Sequence, residues 1–197
     1  LKPSLICFSM TWLVHAHKVI ESLQSKIQNL QFQLPTEDVL IKIAEPVIEM
    51  IEISVRGSGF IVTLAEKEGY VLIVRGDTDV LAMAAENNYL PGCIRSTEVS
   101  GTNAIGICLD ERKPFQLTGA EHYKKSHHHW TCSSAPVRNS DGSVIGAITL
   151  SGPLIGRHEH TLALVIAGAK RVEGQLRERD LVEGIHRLNY ILTSIYN

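Results

Sequence analysis

The apolar positions of this chain change period twice. Leu13, Ala16, Ile20, Leu23, Ile27, Leu30 and Leu34 recur at alternating steps of three and four, the narrow seam of a helix that meets another helix. Pro35 ends that pattern, and Thr36 reads as the N-cap of a second helix, with Glu37 and Asp38 in its first turn. Val39, Leu40, Ile43, Val47, Met50 and Ile51 give the second helix one apolar face, and Pro46 is expected to kink or divide it.

The period then shortens. Gly59–Leu64 and Tyr70–Val74 read as two strands joined through the turn Glu66-Lys-Glu-Gly69. Asp77–Ala85 reads as a short helix and Asn87–Gly92 as a loop, and Ser100 is placed to cap a helix over Thr102–Glu111. Phe115–Thr118 is a short strand, and Thr131–Arg138 and Val144–Ser151 pair across Asn139-Ser-Asp-Gly142. Hairpins with helices before, between and after them describe an α+β domain on an antiparallel sheet. From His158 the helical period returns, with one seam of Leu162, Val165, Ala169, Val172 and Leu176 and a second of Leu181, Ile185, Leu188, Leu192 and Ile195. The five-residue step between them turns the seam toward the opposite face. Either the helix breaks near Arg177–Asp180, or the second seam meets a different partner.

Composition narrows the function classes. The 197 residues are 44% apolar and 20% charged, the balance of a globular chain rather than a disordered one. A net charge of −2 and 6% aromatic residues supply neither a positive field nor stacking platforms, so no direct nucleic-acid contact is expected. The four cysteines, Cys7, Cys93, Cys108 and Cys132, form no CxxC pair, which favours a reducing compartment. Leu5–Val14 is apolar but interrupted by Ser9 and Thr11 and followed by no small-x-small cleavage site. A cytoplasmic chain with no membrane span is the expectation, and the initial Leu suggests a fragment or a processed chain.

The candidate chemistry is concentrated in one place. Gly57-Ser-Gly59 and Gly101-Thr-Asn-Ala-Ile-Gly106 lack the continuations that a nucleotide-binding loop needs, and read as turns and close packing. Glu121-His122-Tyr123, His127-His128-His129 and Cys132 put four histidines, a glutamate and a thiol within twelve residues. Their spacing matches no standard zinc module, so no metal is assigned. A histidine beside Cys132 would favour a thiolate nucleophile, whereas the apolar neighbours of its strand favour a buried, inert thiol.

Several blocks in one order carry a resemblance. Gly57-Ser-Gly-Phe60, Gly76-Asp77, Gly101-Thr-Asn-Ala-Ile-Gly106, Gly119-Ala-Glu-His-Tyr123, Trp130-Thr-Cys-Ser-Ser-Ala-Pro136, Asp141-Gly142 and Leu150-Ser-Gly-Pro153, followed by His158-x-His160-Thr-Leu-Ala, resemble the N-terminal sensory GAF domain of sigma-54-dependent activators. The regulators of acetoin catabolism and of the glycerol/dihydroxyacetone operon look most alike, over roughly Pro35–Arg179. Two places depart from the pattern. Ala65-Glu66 stands where the first strand usually ends in Asp, and Pro91-Gly92 is followed by Cys93-Ile94-Arg95 instead of an aromatic region. The cyclic-nucleotide motif of some GAF domains is not recognisable.

The resemblance implies a GAF-like, PAS-related fold: a six-stranded antiparallel sheet flanked by helices, with the N- and C-terminal helices forming a bundle. It divides the chain into a dimerising helix (1–35), a sensor domain (36–179) and a signalling helix (180–197). It implies a regulator without catalytic residues or cofactor, which controls a downstream ATPase and DNA-binding region acting on sigma-54 polymerase. A small polar metabolite, such as a hydroxy-ketone or diol, would bind between the sheet and its covering segments, at Thr102, Asn103, Glu121, His122, His127, Trp130 and Thr131. The chain is expected to be a homodimer through its terminal helices. The alternative is a thiol or metal enzyme on the same fold, using Cys132 and the nearby histidines.

Overall fold

The computed structural model describes residues 37–196 together with positions 17, 18 and 21. The chain divides into two units, Leu1–Leu34 and Pro35–Asn197. In the first, His17 Nε2 lies 3.4 Å from a carboxylate oxygen of Glu21, one helical turn on. The seam Leu13–Leu34 and the proposed cap Thr36 lie outside the described residues.

In the second unit, helix α1 (Glu37–Val55) buries Leu40, Ala44, Val47, Ile48 and Ile51 along one face. Pro46 does not divide it. The ring sits on the exposed side, where the carbonyl it leaves unpaired can meet water. Met50, expected on the apolar face, is exposed.

Strands β1 (Ile61–Glu66) and β2 (Val71–Gly76) form the first hairpin, with ends one or two residues further toward the C-terminus than the expected Gly59–Leu64 and Tyr70–Val74. Gly69 closes the turn at φ +90°, and a Cβ there would stand 2.7 Å from the Ser96 nitrogen, so only glycine fits. Helices α2 (Thr78–Glu86), α3 (Thr97–Ser100) and α4 (Ala104–Glu111) follow. Ser100 does not cap the Thr102–Glu111 segment: it ends α3, and Asn103 caps α4. Strand β3 (Phe115–Thr118), two short 3₁₀ turns, β4 (Trp130–Arg138) and β5 (Val144–Pro153) complete the sheet. Helix α5 (Glu159–Tyr196) runs unbroken for 38 residues.

The sheet is antiparallel with strand order β2-β1-β5-β4-β3. It has five strands where the resemblance implied six. The segment that would form the sixth lies beside β2, where the Val71 N–H donates to the Cys93 carbonyl at 2.9 Å and the Arg95 N–H to the Gly69 carbonyl at 2.7 Å. It completes only a single bridge, Tyr70 to Ile94, before α3 draws the chain away.

Alternation along the strands assigns the two faces. Val62, Leu64, Ala135, Val137, Ile148 and Leu150 meet α1 and the first half of α5, through Val165, Ala169, Val172 and Leu176, in the main core. The residues between them face α2, α4 and the intervening loop. That second face has only small apolar clusters, around Ile61, Val80 and Trp130 and around Ala65, Val71 and Ile105.

A candidate ligand cavity on the second face

The register of β1, β5 and β4 places Ile61, Ser151 and Cys132 in one row, and Thr63, Thr149 and Ser134 in the next. These are mostly short side chains. Among the described residues Cys132, Thr149 and Ser151 from these rows floor a small cavity of about 30 Å³, room for about two water-sized groups. Ala84 of α2 and Ala104 and Ile105 of α4 form apolar walls, and Trp130 closes one side from the start of β4.

The polar groups arrive on irregular chain. Asn103 spends its amide on structure: Oδ1 accepts from the Gly106 N–H at 3.0 Å, and Nδ2 donates to the carbonyls of Arg95 and Gly101 at 2.9 and 2.8 Å. It thereby ties the start of α4 to the backbone of Arg95. The Arg95 side chain, 2% exposed, runs over the ring of Tyr89 with its guanidinium carbon 4.4 Å from the ring centre. Nη2 donates to the carbonyls of Asn87 and Asn88, whereas Nε has no acceptor.

The ring of His122, 2% exposed, donates from Nδ1 to the Gly119 carbonyl at 3.0 Å. A carbonyl only accepts, so Nδ1 carries the hydrogen and Nε2 presents a lone pair; Nε2 is buried without a partner. His127 stands edge-on to His122, with ring centres 6.0 Å apart. The Tyr89 hydroxyl is likewise buried and unpaired, facing the hydroxyls of Thr63 and Ser151 without closing a hydrogen bond to either.

Burial sets the protonation states. It is the main cause that pushes the Tyr89 phenol up to about 12, with Cys132 adding to it. Burial also raises the Cys132 thiol to about 11, although Ser151 and Arg95 pull the other way, so the thiol is protonated at neutral pH. His127 is held down near 4, first by burial and then by the charge of Arg95. His122 is also lowered, chiefly by burial. The lining is therefore one fixed positive charge among neutral donors and acceptors.

Four of the seven residues expected at the site line this cavity: Asn103, His122, His127 and Trp130. Thr102 and Glu121 are exposed. Glu121 instead accepts from the Thr118 N–H at 2.6 Å in a capping box. Thr131 is buried and alternates to the helix-covered face of the sheet. The histidine cluster is largely tied up locally, with Trp130 Nε1 donating to His129 Nε2 at 2.6 Å and His128 Nε2 on the His122 carbonyl at 3.1 Å. Among the described residues no group of three or more His, Cys, Asp or Glu side chains is arranged to hold a metal ion. The lining residues not anticipated include two large polar side chains, Tyr89 and Arg95. Their one signal was the departure after Pro91-Gly92, where Arg95 replaces the aromatic region.

Comparison with known proteins agrees with this architecture. The family model for the MimR N-terminal domain matches residues 24–177. A signal-transduction and transcriptional-control protein of Clostridium beijerinckii is 37% identical over 160 residues, covering 79% of this chain and 25% of that protein. The acetoin dehydrogenase operon transcriptional activator AcoR of Bacillus subtilis is 34% identical over 142 residues, covering 70% of this chain and 24% of that protein. The chain thus spans about a quarter of the length of these curated relatives. Among solved structures, the E. coli DhaR(N)–DhaL complex superposes with a TM-score of 0.76 at 18% identity, over 79% of this chain and 53% of that one. At that identity the likeness is one of fold. Among the described residues no helix is long and apolar enough to cross a membrane.

Proposed function

The chain belongs to the MimR N-terminal domain family, and from that premise we propose that it is the signal-sensing part of a transcriptional activator, with a small polar metabolite in the cavity as the signal. The observation that carries this reading is the cavity itself: small, walled by apolar side chains, and lined by three residues that each bury a polar atom without a partner, Tyr89, Arg95 and His122. Buried polar groups are normally satisfied, and each orphan carries a desolvation penalty that a ligand can relieve. The ligand contacts are Tyr89, Arg95, His122, His127 and Trp130, with Asn103 fixing the loop that presents Arg95. Binding is read out through the sheet. Cys132, Thr149 and Ser151 touch the cavity, while Ala135, Ile148 and Leu150 of the same strands grip α1 and α5. In the intact regulator α5 leads toward an ATPase and a DNA-binding region that act with sigma-54 polymerase in the cytoplasm, and the domain works as a homodimer. A thiol-enzyme reading has no support from Cys132, whose thiol is held protonated.

The test is thermal unfolding of the purified chain against hydroxy-ketones, diols and small organic acids. A ligand that binds only the folded state raises the midpoint with the logarithm of its concentration. The rise should be lost in Tyr89→Phe and His122→Phe while both variants stay folded. A binder whose effect survives both changes would move the site out of this cavity.

A further inference from the structure

We infer that the cavity takes a small hydroxy acid, its carboxylate on Arg95 and its hydroxyl on His122. This rests on the reading of the cavity as the ligand site and specifies the charge of what enters it. Arg95 is 2% exposed, and among the described residues no carboxylate lies within ion-pair distance of it. A buried guanidinium without a counter-charge is costly, because an arginine cannot discard its proton. The fold tolerates this charge with two backbone carbonyls for Nη2 and an aromatic face beneath the guanidinium. The Tyr89 ring covers one face, so further recognition takes place at the in-plane N–H edge, and Nε on that edge has no acceptor.

The rest of the lining is complementary to an anion. It contains no Asp or Glu among the described residues, and its two histidines are both held neutral by burial. A carboxylate therefore meets one positive charge, no negative one, and the hydroxyl of Tyr89 as a further donor. The second half of the ligand follows from the tautomer of His122. With Nδ1–H committed to the Gly119 carbonyl, Nε2 can only accept. It calls for a donor, which a carboxylate lacks and a hydroxyl supplies. The free volume, about 30 Å³, limits the ligand to a few non-hydrogen atoms unless lining side chains move aside.

The experiment compares acids with their neutral amides on the whole chain. Lactate and propionate are paired with lactamide and propionamide, beside acetoin and glycerol, by thermal unfolding and titration calorimetry. The acids should stabilise and the amides should not. Lactate should bind more tightly than propionate, and that advantage should vanish in His122→Phe. Arg95→Met should weaken acid binding about 30-fold or more, the usual scale for removing one partner of a buried charge pair. Arg95→Lys should retain part of the preference for acids, and the wild-type acid–amide comparison decides the matter even if Arg95→Met misfolds. Equal stabilisation by acids and amides, or stabilisation by acetoin or glycerol alone, overturns the charge assignment and leaves the cavity as the ligand site. No stabilisation by any of these compounds overturns both.

Discussion

His127 links the cavity to the stability of the fold. The residues facing it, Arg95, His122, Lys124 and His129, all add to burial in disfavouring its charged form, and it is held near 4. A free imidazole in the unfolded chain titrates near 6.5. Between these values the unfolded state binds more protons than the folded one, so stability rises with pH there. The contribution is complete above about pH 6.5 and is lost as the pH falls toward about 4. The thermal midpoint should drop from about pH 7 to pH 5, and His127→Gln should flatten that slope. An unchanged slope in His127→Gln would assign the proton uptake elsewhere. The same residues show how far a site can be read from a chain. Asn103, His122, His127 and Trp130 stand in blocks whose polar and aromatic character marks them. Tyr89 and Arg95 lie on a stretch without periodicity, and arginine is so regularly exposed that nothing in a sequence signals its burial. Thr131 failed for the opposite reason. It adjoins Trp130, but the two-residue period of a strand sends neighbours to opposite faces.

At the scale of elements, the strongly periodic segments were readable and their ends were not. Helix α1 and the two hairpins stand where alternation and turn residues place them, with strand ends moved by one or two residues. The sixth strand was lost because a segment can hydrogen-bond to an edge without continuing as a ladder. Helix α5 resolves the five-residue step between its two seams. The helix does not break, so five residues at about 100° each rotate the apolar face by about 140°. Leu176 is fully buried against the sheet, and Leu181 on the next turn is 69% exposed. The two leucines should therefore differ sharply when truncated in dilute, monomeric protein. Leu176→Ala should cost about 2–5 kcal/mol, as for other buried leucines. Leu181→Ala should stay within about 0.5 kcal/mol, the range of ordinary surface changes. Denaturant titration of the pair checks this, and a comparable loss at Leu181 would mean that the distal half of α5 packs within its own chain.

That distal half carries the last consequence, which concerns the molecule as an assembly. Leu181, Ile185, Leu188 and Leu192 are spaced four, three and four residues apart, and all are exposed on the described protein. A polar solvent-bridging helix does not repeat leucine and isoleucine at that spacing, whereas the seam of a two-stranded coiled coil does. A second copy of the chain supplies an identical seam, and a two-fold axis along the helix would pair them. Burying such side chains is worth about 1.5–3 kcal/mol each, so four from each copy are of the same order as the ~4–15 kcal/mol lost in association. The balance predicts a reversible dimer that tightens with concentration rather than an obligate one. Ligand could then act on it directly, because the strands that floor the cavity also grip the proximal half of the same continuous helix. Sedimentation equilibrium across a concentration series should show the 21.7 kDa chain passing to twice that mass. Ile185→Glu combined with Leu188→Glu should hold it at the monomer without lowering the thermal midpoint of the sensor. A wild-type chain that remains monomeric at high concentration would leave the seam to another partner, and a double variant that still dimerises would place the contact outside α5.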